Sequence, residues 1–116
     1  MLNSMNTYSI QKLMTAVIQI QDVEKAISAL NESGLSVTRM SSSGGFLGRR
    51  NVTLLIGLPE GYETTAVKIL SKACRRRVEY IATPFEGAPF HLPTQTPITV
   101  GGATIFTFEV ERYEEI

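Results

Sequence analysis

The hydrophobic pattern of this chain predicts an α+β fold, a two-layer sandwich in which two helices cover one face of an antiparallel sheet. Three observations support this prediction. Several segments alternate apolar and polar residues as strands do, two segments carry apolar residues at helical spacing, and glycine-rich or proline-rich stretches separate them. Taken in chain order, the elements follow the scheme β-α-β-β-α-β.

The first two elements are a strand at 12–20 and a helix that follows it. The strand has apolar residues at every even position from 14 to 20. Asp22 is a favourable helix N-cap, and Gly34 is a typical helix stop. Between them, apolar residues at helical spacing predict one amphipathic helix of about three turns. These residues are Val23, Ala26, Ile27 and Leu30.

Strands at 35–42 and 51–58 are predicted to pair as a β-hairpin across a glycine-rich stretch. Glycines there tolerate positive φ and let backbone N–H groups approach a ligand closely. Phe46 offers a stacking face, and the amide of Asn51 can both donate to and accept from an adenine edge. The stretch therefore predicts a binding loop; the alternative is a plain hairpin loop in which Phe46 folds back on the core.

A second helix is predicted at 64–73, with Val67, Leu70 and Cys74 as its apolar stripe. Three arginines at 75–77 follow it directly. Because the helix macrodipole favours cations at a C-terminus, we interpret this run as a solvated helix end rather than a phosphate site.

The last third of the chain predicts a strand at 78–83, a long loop at 84–97 and strand-like alternation at 98–110. The loop is rich in proline and glycine, and an extra short strand at 97–100 is an alternative for its end. The Gly-Gly pair inside the final segment indicates a bulge or a close backbone approach. Phe108, near the end of that segment, is expected to pack in the core.

This order of elements resembles the ferredoxin-like split β-α-β sandwich. Two helices cover only one face of its sheet, whereas the predicted strands carry apolar residues on both faces. The second face is therefore expected to meet neighbouring subunits, and a closed ring such as a trimer would bury it.

Length and composition narrow the function classes. A chain of 116 residues with 43% hydrophobic content fits one domain at 12–116, preceded by a flexible extension at 1–11. Eleven basic and eleven acidic residues cancel, so polymeric nucleic acid is not expected as a partner. No long apolar run or signal-peptide pattern occurs, so we expect no membrane partner and a cytoplasmic location. Cys74 is the only cysteine, which excludes intramolecular disulfides and cysteine-based zinc sites.

Three separated motifs resemble those of a known family. They are the loop Gly44-Gly45-Phe46-Leu47 followed by Asn51 and Thr53, the first strand at 16–22, and the segment at 100–106. Together they are similar to the PII-like cyclic-di-AMP receptors of Gram-positive bacteria, over about residues 12–115. The resemblance implies a homotrimer of ferredoxin-like subunits that binds cyclic-di-AMP in clefts between subunits, as a regulatory ligand and not as a cofactor. It also implies no catalytic activity, no metal, and signalling to a downstream protein that the sequence does not identify.

Carried onto this sequence, the resemblance assigns ligand contacts to three strands and the glycine-rich loop. The matching residues are Thr38, Gly44, Gly45, Phe46, Leu47, Asn51, Gly57 and Phe106. Asn51 and the Gly57 backbone are expected to contact an adenine edge, and Thr38 with loop N–H groups to hold phosphate oxygens. Phe46 and Leu47 are expected to cover the bases.

Two positions depart from the family pattern. Ser36, which we include in the ligand set, stands where the family commonly has an arginine near the phosphates, so a contact of about 1.5 to 3 kcal/mol is missing. Glu115 replaces a glutamine and would repel phosphates. Arg49 or Arg50 in the loop could compensate by reaching the phosphates.

Two other functions stay open from the sequence. One is a divergent trimer that binds another adenine nucleotide, or that acts without a ligand as a protein-interaction module through Phe46 and Phe90. The other is a small enzyme with His91 as general base. A lone histidine with no evident carboxylate partner argues against catalysis, and one histidine with one cysteine argues against a closed metal site.

Overall fold

The computed structural model describes residues 10–41, 51–84 and 93–116. In these ranges the chain forms six strands, two α-helices and a 3-10 turn at Ile20–Asp22. In chain order the elements are β1 (Lys12–Gln19), α1 (Val23–Glu32), β2 (Ser36–Ser41), β3 (Asn51–Leu58), α2 (Glu63–Ala73), β4 (Arg77–Pro84), β5 (Pro93–Val100) and β6 (Ala103–Glu109). Neither helix is long and apolar enough to cross a membrane, as far as the described residues go.

Four strands form one antiparallel sheet in the order β2-β3-β1-β6. β1 lies inside the sheet, where it pairs with β3 on one side and with β6 on the other. The predicted hairpin of the second and third strands is confirmed, with Val37 opposite Ile56. This mixed arrangement of two helices and antiparallel sheet confirms the predicted α+β, ferredoxin-like class.

The core lies between the helices and one face of this sheet. Even-numbered residues of β3 are buried and odd-numbered ones are half-buried, as the period of two requires. The buried strand residues are Met14, Ala16, Ile18, Val52, Leu54, Ile56 and Leu58, and the helices add Val23, Ala26, Leu30, Ala66, Leu70 and Ala73.

Helix α1 begins and ends near the predicted residues, but Asp22 does not act as predicted. Asp22 occupies the N-cap position without a side-chain capping bond. Its Oδ1 instead accepts a hydrogen bond from Nη2 of Arg77 at 3.0 Å, although the carboxylate is only 1% exposed. At the other end, Gly34 has φ of 84°, its N–H donates to the Asn31 carbonyl, and the N–H of Leu35 donates to the Leu30 carbonyl. This pattern is a Schellman motif, which only a residue tolerant of positive φ can close at low cost.

The predicted stripe of the second helix is wrong at one residue. Val67 is 37% exposed, whereas Ala66, Leu70 and Ala73 face the core. Cys74 follows the helix and is buried as predicted. Two of the residues on the inner face are small alanines. The prediction selected the larger Val67 as the apolar residue, although its sequence neighbour Ala66 is the one that is buried.

The arginine run does not form one solvated helix end. Arg75 and Arg76 are exposed, but Arg77 is the first residue of β4 and its side chain is 20% exposed. Arg77 bonds to Asp22 and, through Nε, to Oε2 of Glu79 at 3.1 Å. These carboxylates raise the pKa of the Arg77 guanidinium, the hydrogen bond to Asp22 contributing most. The prediction is wrong for Arg77 because the pairing carboxylate lies 55 residues away in sequence.

The predicted loop at 84–97 is wrong at its C-terminal end. β4 and β5 form a separate two-stranded antiparallel sheet in which Arg77 pairs with Val100 and Pro84 with Pro93. The alternative short strand at 97–100 is therefore confirmed in a longer form. The prolines of β5 concealed it, because proline is tolerated in a strand only where no ladder hydrogen bond is needed from its nitrogen. Residues 85–92 lie outside the described ranges.

The predicted final segment at 98–110 is two strands rather than one. Gly101 and Gly102 separate β5 from β6 with φ of 97° and 94°. A Cβ on Gly101 would lie 2.2 Å from the carbonyl oxygen of Arg75, so the predicted close backbone approach is confirmed. The break lets β6 take the place beside β1, while β4 and β5 leave the main sheet.

The predicted extension at 1–11 lies outside the described residues except for its last two. Gln11 donates its N–H to the Leu58 carbonyl at 2.8 Å and accepts from the N–H of Val110 at 2.9 Å. The backbone at Gln11 therefore continues the hydrogen bonding between β3, β1 and the end of β6.

Candidate functional site

The five described residues of the predicted site share one face of the main sheet. Ser36 lies opposite Gly57, and Thr38 lies opposite Leu55 in the pairing of β2 with β3. Across β1, Thr15 faces both Leu55 and Phe106. Asn51 has the same parity as Gly57 on β3, so all five point away from the helices. We call this surface the open face.

These residues do not converge within one chain. Asn51 and Gly57 are six residues apart on β3, which is about 20 Å along an extended strand. Thr38 and Phe106 lie on β2 and β6, the two edge strands, which are about 14 Å apart at the usual strand spacing. A single adenine therefore cannot contact both Asn51 and Gly57 of the same chain.

Gly57 has a structural reason to be glycine. A Cβ at this position would lie 2.8 Å from Cδ1 of Ile10, whose side chain covers the strand there. Phe106 is 52% exposed. Phe108 is 54% exposed on the same face, so its predicted place in the core is wrong. β6 is an edge strand whose odd residue Ile105 packs against the core, which turns both phenylalanines outward.

The remaining predicted site residues lie outside the described ranges. They are Gly44, Gly45, Phe46 and Leu47, together with the two loop arginines Arg49 and Arg50. Phe85, Phe90 and His91 lie outside them as well. Glu115 is described and exposed in the C-terminal tail, and Ser36 and Thr38 are exposed on β2.

A groove of about 200 Å³ opens beside Asn51. The ends of β1 and β3 form one wall, and the Gly101–Gly102 turn with the start of β6 forms the other. Gln19 lies opposite Asn51 and accepts a hydrogen bond from the N–H of Gly101 at 2.9 Å. The lining residues are Val17, Ile18, Gln19, Asn51, Arg76, Gly101, Gly102, Ala103 and Thr104.

The sequence analysis missed Arg76 as a lining residue of this groove. Its guanidinium lies over Gly102, with Nε 3.2 Å from the place that a Cβ of Gly102 would occupy. The three arginines at 75–77 look equivalent in sequence. Only the turn of chain between α2 and β4 distinguishes them, since it directs Arg77 to Asp22 and Arg76 to the groove.

A second groove of about 440 Å³ lies at the other end of the sheet. Its charged residues are three glutamates and one lysine, namely Glu60, Glu63, Glu109 and Lys12. Lys12 Nζ lies 3.0 Å from Oε1 of Glu63, and this hydrogen bond, with the charges of both neighbouring glutamates, raises the pKa of Lys12. In the described ranges, no group of three potential metal ligands is close enough together to hold an ion.

A four-stranded antiparallel sheet with two helices on one face and an open second face defines a class: small PII-like proteins of the ferredoxin type. Within this class the chain belongs to the cyclic-di-AMP receptor family, whose model matches residues 11–116. A receptor family has a binding role.

Two solved structures support the fold. A functionally unknown protein from Pediococcus pentosaceus ATCC 25745 is 28% identical, with a TM-score of 0.72, and the match covers 94% of this chain and 100% of that one. A DUF3240 family protein from Shewanella baltica OS155 is 12% identical, with a TM-score of 0.55, covering 94% and 99% of the two chains. At that identity the second likeness concerns the fold alone.

Proposed function

We propose that this chain is one subunit of a homotrimeric receptor that binds cyclic-di-AMP in the clefts between subunits and transmits the signal through its loops to a protein target. The observation that carries the proposal is the match of the cyclic-di-AMP receptor model to residues 11–116, nearly the whole chain.

The position of the site residues supports a cleft between subunits. Thr38 lies at one edge of the sheet and Phe106 at the other, and Asn51 and Gly57 lie at opposite ends of β3. A neighbouring copy that places one edge against the opposite edge of the next sheet would bring such residues together. The exposed aromatic rings of Phe106 and Phe108 on the open face would be covered by the same contact.

Three of the five described site residues have a side-chain role in this proposal. The amide of Asn51 contacts an adenine edge, because it can donate and accept at once. The hydroxyl of Thr38 donates to a phosphate oxygen, and the ring of Phe106 stacks on a base, a contact of about 1 to 3 kcal/mol. The segment 44–50 and the residues of the predicted 84–97 loop that lie between β4 and β5 carry the response, since a ligand shifts an equilibrium only when it favours one loop state over another.

One alternative function has a specific observation behind it. Ser36 is exposed on the open face where the family commonly has an arginine, and Glu115 adds a negative charge. A divergent trimer would then bind another adenine nucleotide, or contact a protein partner without any ligand. The exposed side chains of Val78 and Tyr80, which share one face of β4, offer an apolar surface for such a partner.

The test is isothermal titration of the purified protein with cyclic-di-AMP, with ATP and cyclic-di-GMP as controls and with the oligomer mass measured by light scattering. We expect saturable binding at one site per subunit in a trimer, selective for cyclic-di-AMP. Selective binding of ATP would favour the divergent receptor. A folded trimer that binds none of the three would refute nucleotide binding and favour the interaction module.

Asn51→Ala tests the adenine contact within the same titration. We expect cyclic-di-AMP affinity to fall about tenfold to hundredfold, because a buried base edge loses both of its hydrogen bonds to the amide. Asn31→Ala, on the exposed face of α1, is the matched control and should leave affinity unchanged. Equal affinities for the wild type and Asn51→Ala would remove Asn51 from the site.

A further inference from the structure

We propose that the groove beside Asn51 binds a phosphate group of the nucleotide, and that Arg76 supplies the positive charge. This inference rests on the proposed function and names one part of its binding site. It assigns the positive charge that contacts the phosphate to the turn between α2 and β4. It does not assign this charge to β2, where the neutral Ser36 stands at the position of the family's arginine.

The charge of the groove points to an anion. Among its nine described lining residues, Arg76 is the one with a formal charge. The groove at the opposite end of the sheet has three glutamates around Lys12, so its net charge is negative. Of the two, only the groove beside Asn51 attracts a phosphate, because its nearest charge is positive whereas the charges of the other groove sum to a negative value.

Arg76 is available for a ligand. Arg39 bonds to Glu24, Arg77 to Asp22, and Arg112 to Glu114. Across the described parts of the chain, the Arg76 side chain has no carboxylate partner. Its guanidinium nevertheless has a defined place, since the Gly102 Cα below it carries no side chain and Nε approaches that position to 3.2 Å. A planar guanidinium held in this way presents several N–H donors to phosphate oxygens.

Two neutral donors lie beside it. Asn51 and Thr104 both line the groove and both belong to the open face, opposite Gln19 and Val17 of β1. The side-chain amide and the hydroxyl each carry a hydrogen-bond donor. In a dinucleotide, one sugar joins each base to its phosphate, so a cation that lines the same small groove as Asn51 is within reach of the phosphate of the nucleotide whose adenine Asn51 contacts.

The size of the groove limits what it holds. Sites for whole ligands enclose about 300 to 1,000 Å³, whereas this groove has about 200 Å³. It therefore takes a phosphate and part of its sugar rather than a complete cyclic dinucleotide. The rest of the ligand would lie against other residues of the cleft.

The experiment compares Arg76→Gln with Arg75→Gln and Arg76→Lys by titration with cyclic-di-AMP at low and at near-physiological ionic strength. Arg75 is also exposed and adjacent in sequence, but it does not line the groove. We expect Arg76→Gln to weaken binding about tenfold to hundredfold and to reduce the salt dependence, because a charge-assisted contact is lost. Arg76→Lys should retain part of the affinity, and Arg75→Gln should bind within about twofold of the wild type. Unchanged melting temperatures would show that all three variants fold.

The outcomes separate the two proposals. If the wild type binds cyclic-di-AMP and Arg76→Gln binds equally well, or if Arg75→Gln loses as much, the groove assignment is wrong while the receptor function stands. If the wild type does not bind cyclic-di-AMP, the receptor function fails, and titration with pyrophosphate followed by NMR then judges the groove. Shifts at Arg76 and Gly102 that disappear in Arg76→Gln would support an anion site. Their absence in the wild type would overturn it.

Discussion

Replacing Gly101 with alanine tests the contact that joins the turn before β6 to the end of α2. Gly101 has φ of 97°, and a Cβ there would lie 2.2 Å from the Arg75 carbonyl oxygen and 2.8 Å from its carbon. Gly61 is a matched control, because its φ is 86° and a Cβ would meet nothing within 4 Å. The two substitutions share the same backbone strain and differ in the backbone contact.

The expected magnitudes follow from these distances. An alanine held at positive φ costs about 1 to 2 kcal/mol, and its smaller unfolded-state entropy offsets part of this, so Gly61→Ala should lose about 1 kcal/mol. In Gly101→Ala, the turn must also move away from Arg75. That movement breaks the hydrogen bonds from Gly101 to Gln19 and from Gly102 to the Cys74 carbonyl. At about 0.5 to 1.5 kcal/mol each, they bring the total loss to about 2 to 4 kcal/mol.

Urea denaturation and thermal melting of both variants, at one fixed protein concentration, measure these losses. The concentration must be constant because assembly stabilises the folded state by mass action. For a domain of this size, the expected loss lowers the Tm of Gly101→Ala by about 8 to 16 °C, against about 4 °C for Gly61→Ala. Equal losses in the two variants would show that the turn is not held against Arg75, and the reasoning would fail.

Two further predictions concern α2 and its last turn. Leu70→Ala should lose about 2 to 5 kcal/mol of unfolding free energy because it leaves a cavity at a fully buried site. Val67→Ala should lose less than about 1 kcal/mol, because Val67 is partly exposed. Denaturant titrations measure both losses, and similar values for the two variants would contradict the helix orientation. Burial, with a smaller effect from the Asp22 charge, raises the pKa of the Cys74 thiol from 9.0 to about 11, so the folded protein keeps its proton where the unfolded chain has lost it. The unfolding free energy of the wild type should therefore fall, relative to that of Cys74→Ala, as pH rises from about 9 to about 11. The native thiol should also react slowly with iodoacetamide at mildly alkaline pH. A difference in unfolding free energy between the two proteins that does not change with pH would refute the raised pKa.

Local pattern was sufficient for most of the fold. The period of two in β1 and β3 and the stop at Gly34 depend on neighbours in sequence, and the structure follows them closely. The separate sheet of β4 and β5 could not be derived in the same way. Its strands are separated in sequence by residues 85–92. The turn at Gly101, which contacts the distant residue Arg75, decides that β6 lies beside β1.

The candidate site, too, could be predicted from the sequence only in part. Residue type and order along the chain predicted that Thr38, Asn51 and Phe106 lie on the sheet, and the register places them on one face. Sequence did not distinguish Arg76 from its neighbours, because its place beside Asn51 arises where the chain leaves α2 and where it returns from β5. The binding roles of Thr38, Asn51 and Phe106 stay predictions, and so do those of the residues at 44–47.

The hairpin of β4 and β5 starts and ends beside the groove that Asn51 and Arg76 line. Its first residue, Arg77, bonds to Asp22, and its last, Val100, leads directly into the turn that Gln19 holds. Eight residues per strand give it a length of about 24 Å, so any rotation at its first and last residues would be enlarged at its far end. A rotation of about 10° there would carry the far end through about 4 Å. A ligand that moved the start of the hairpin by less than the width of one atom would thus displace its far end by more than the radius of a water molecule.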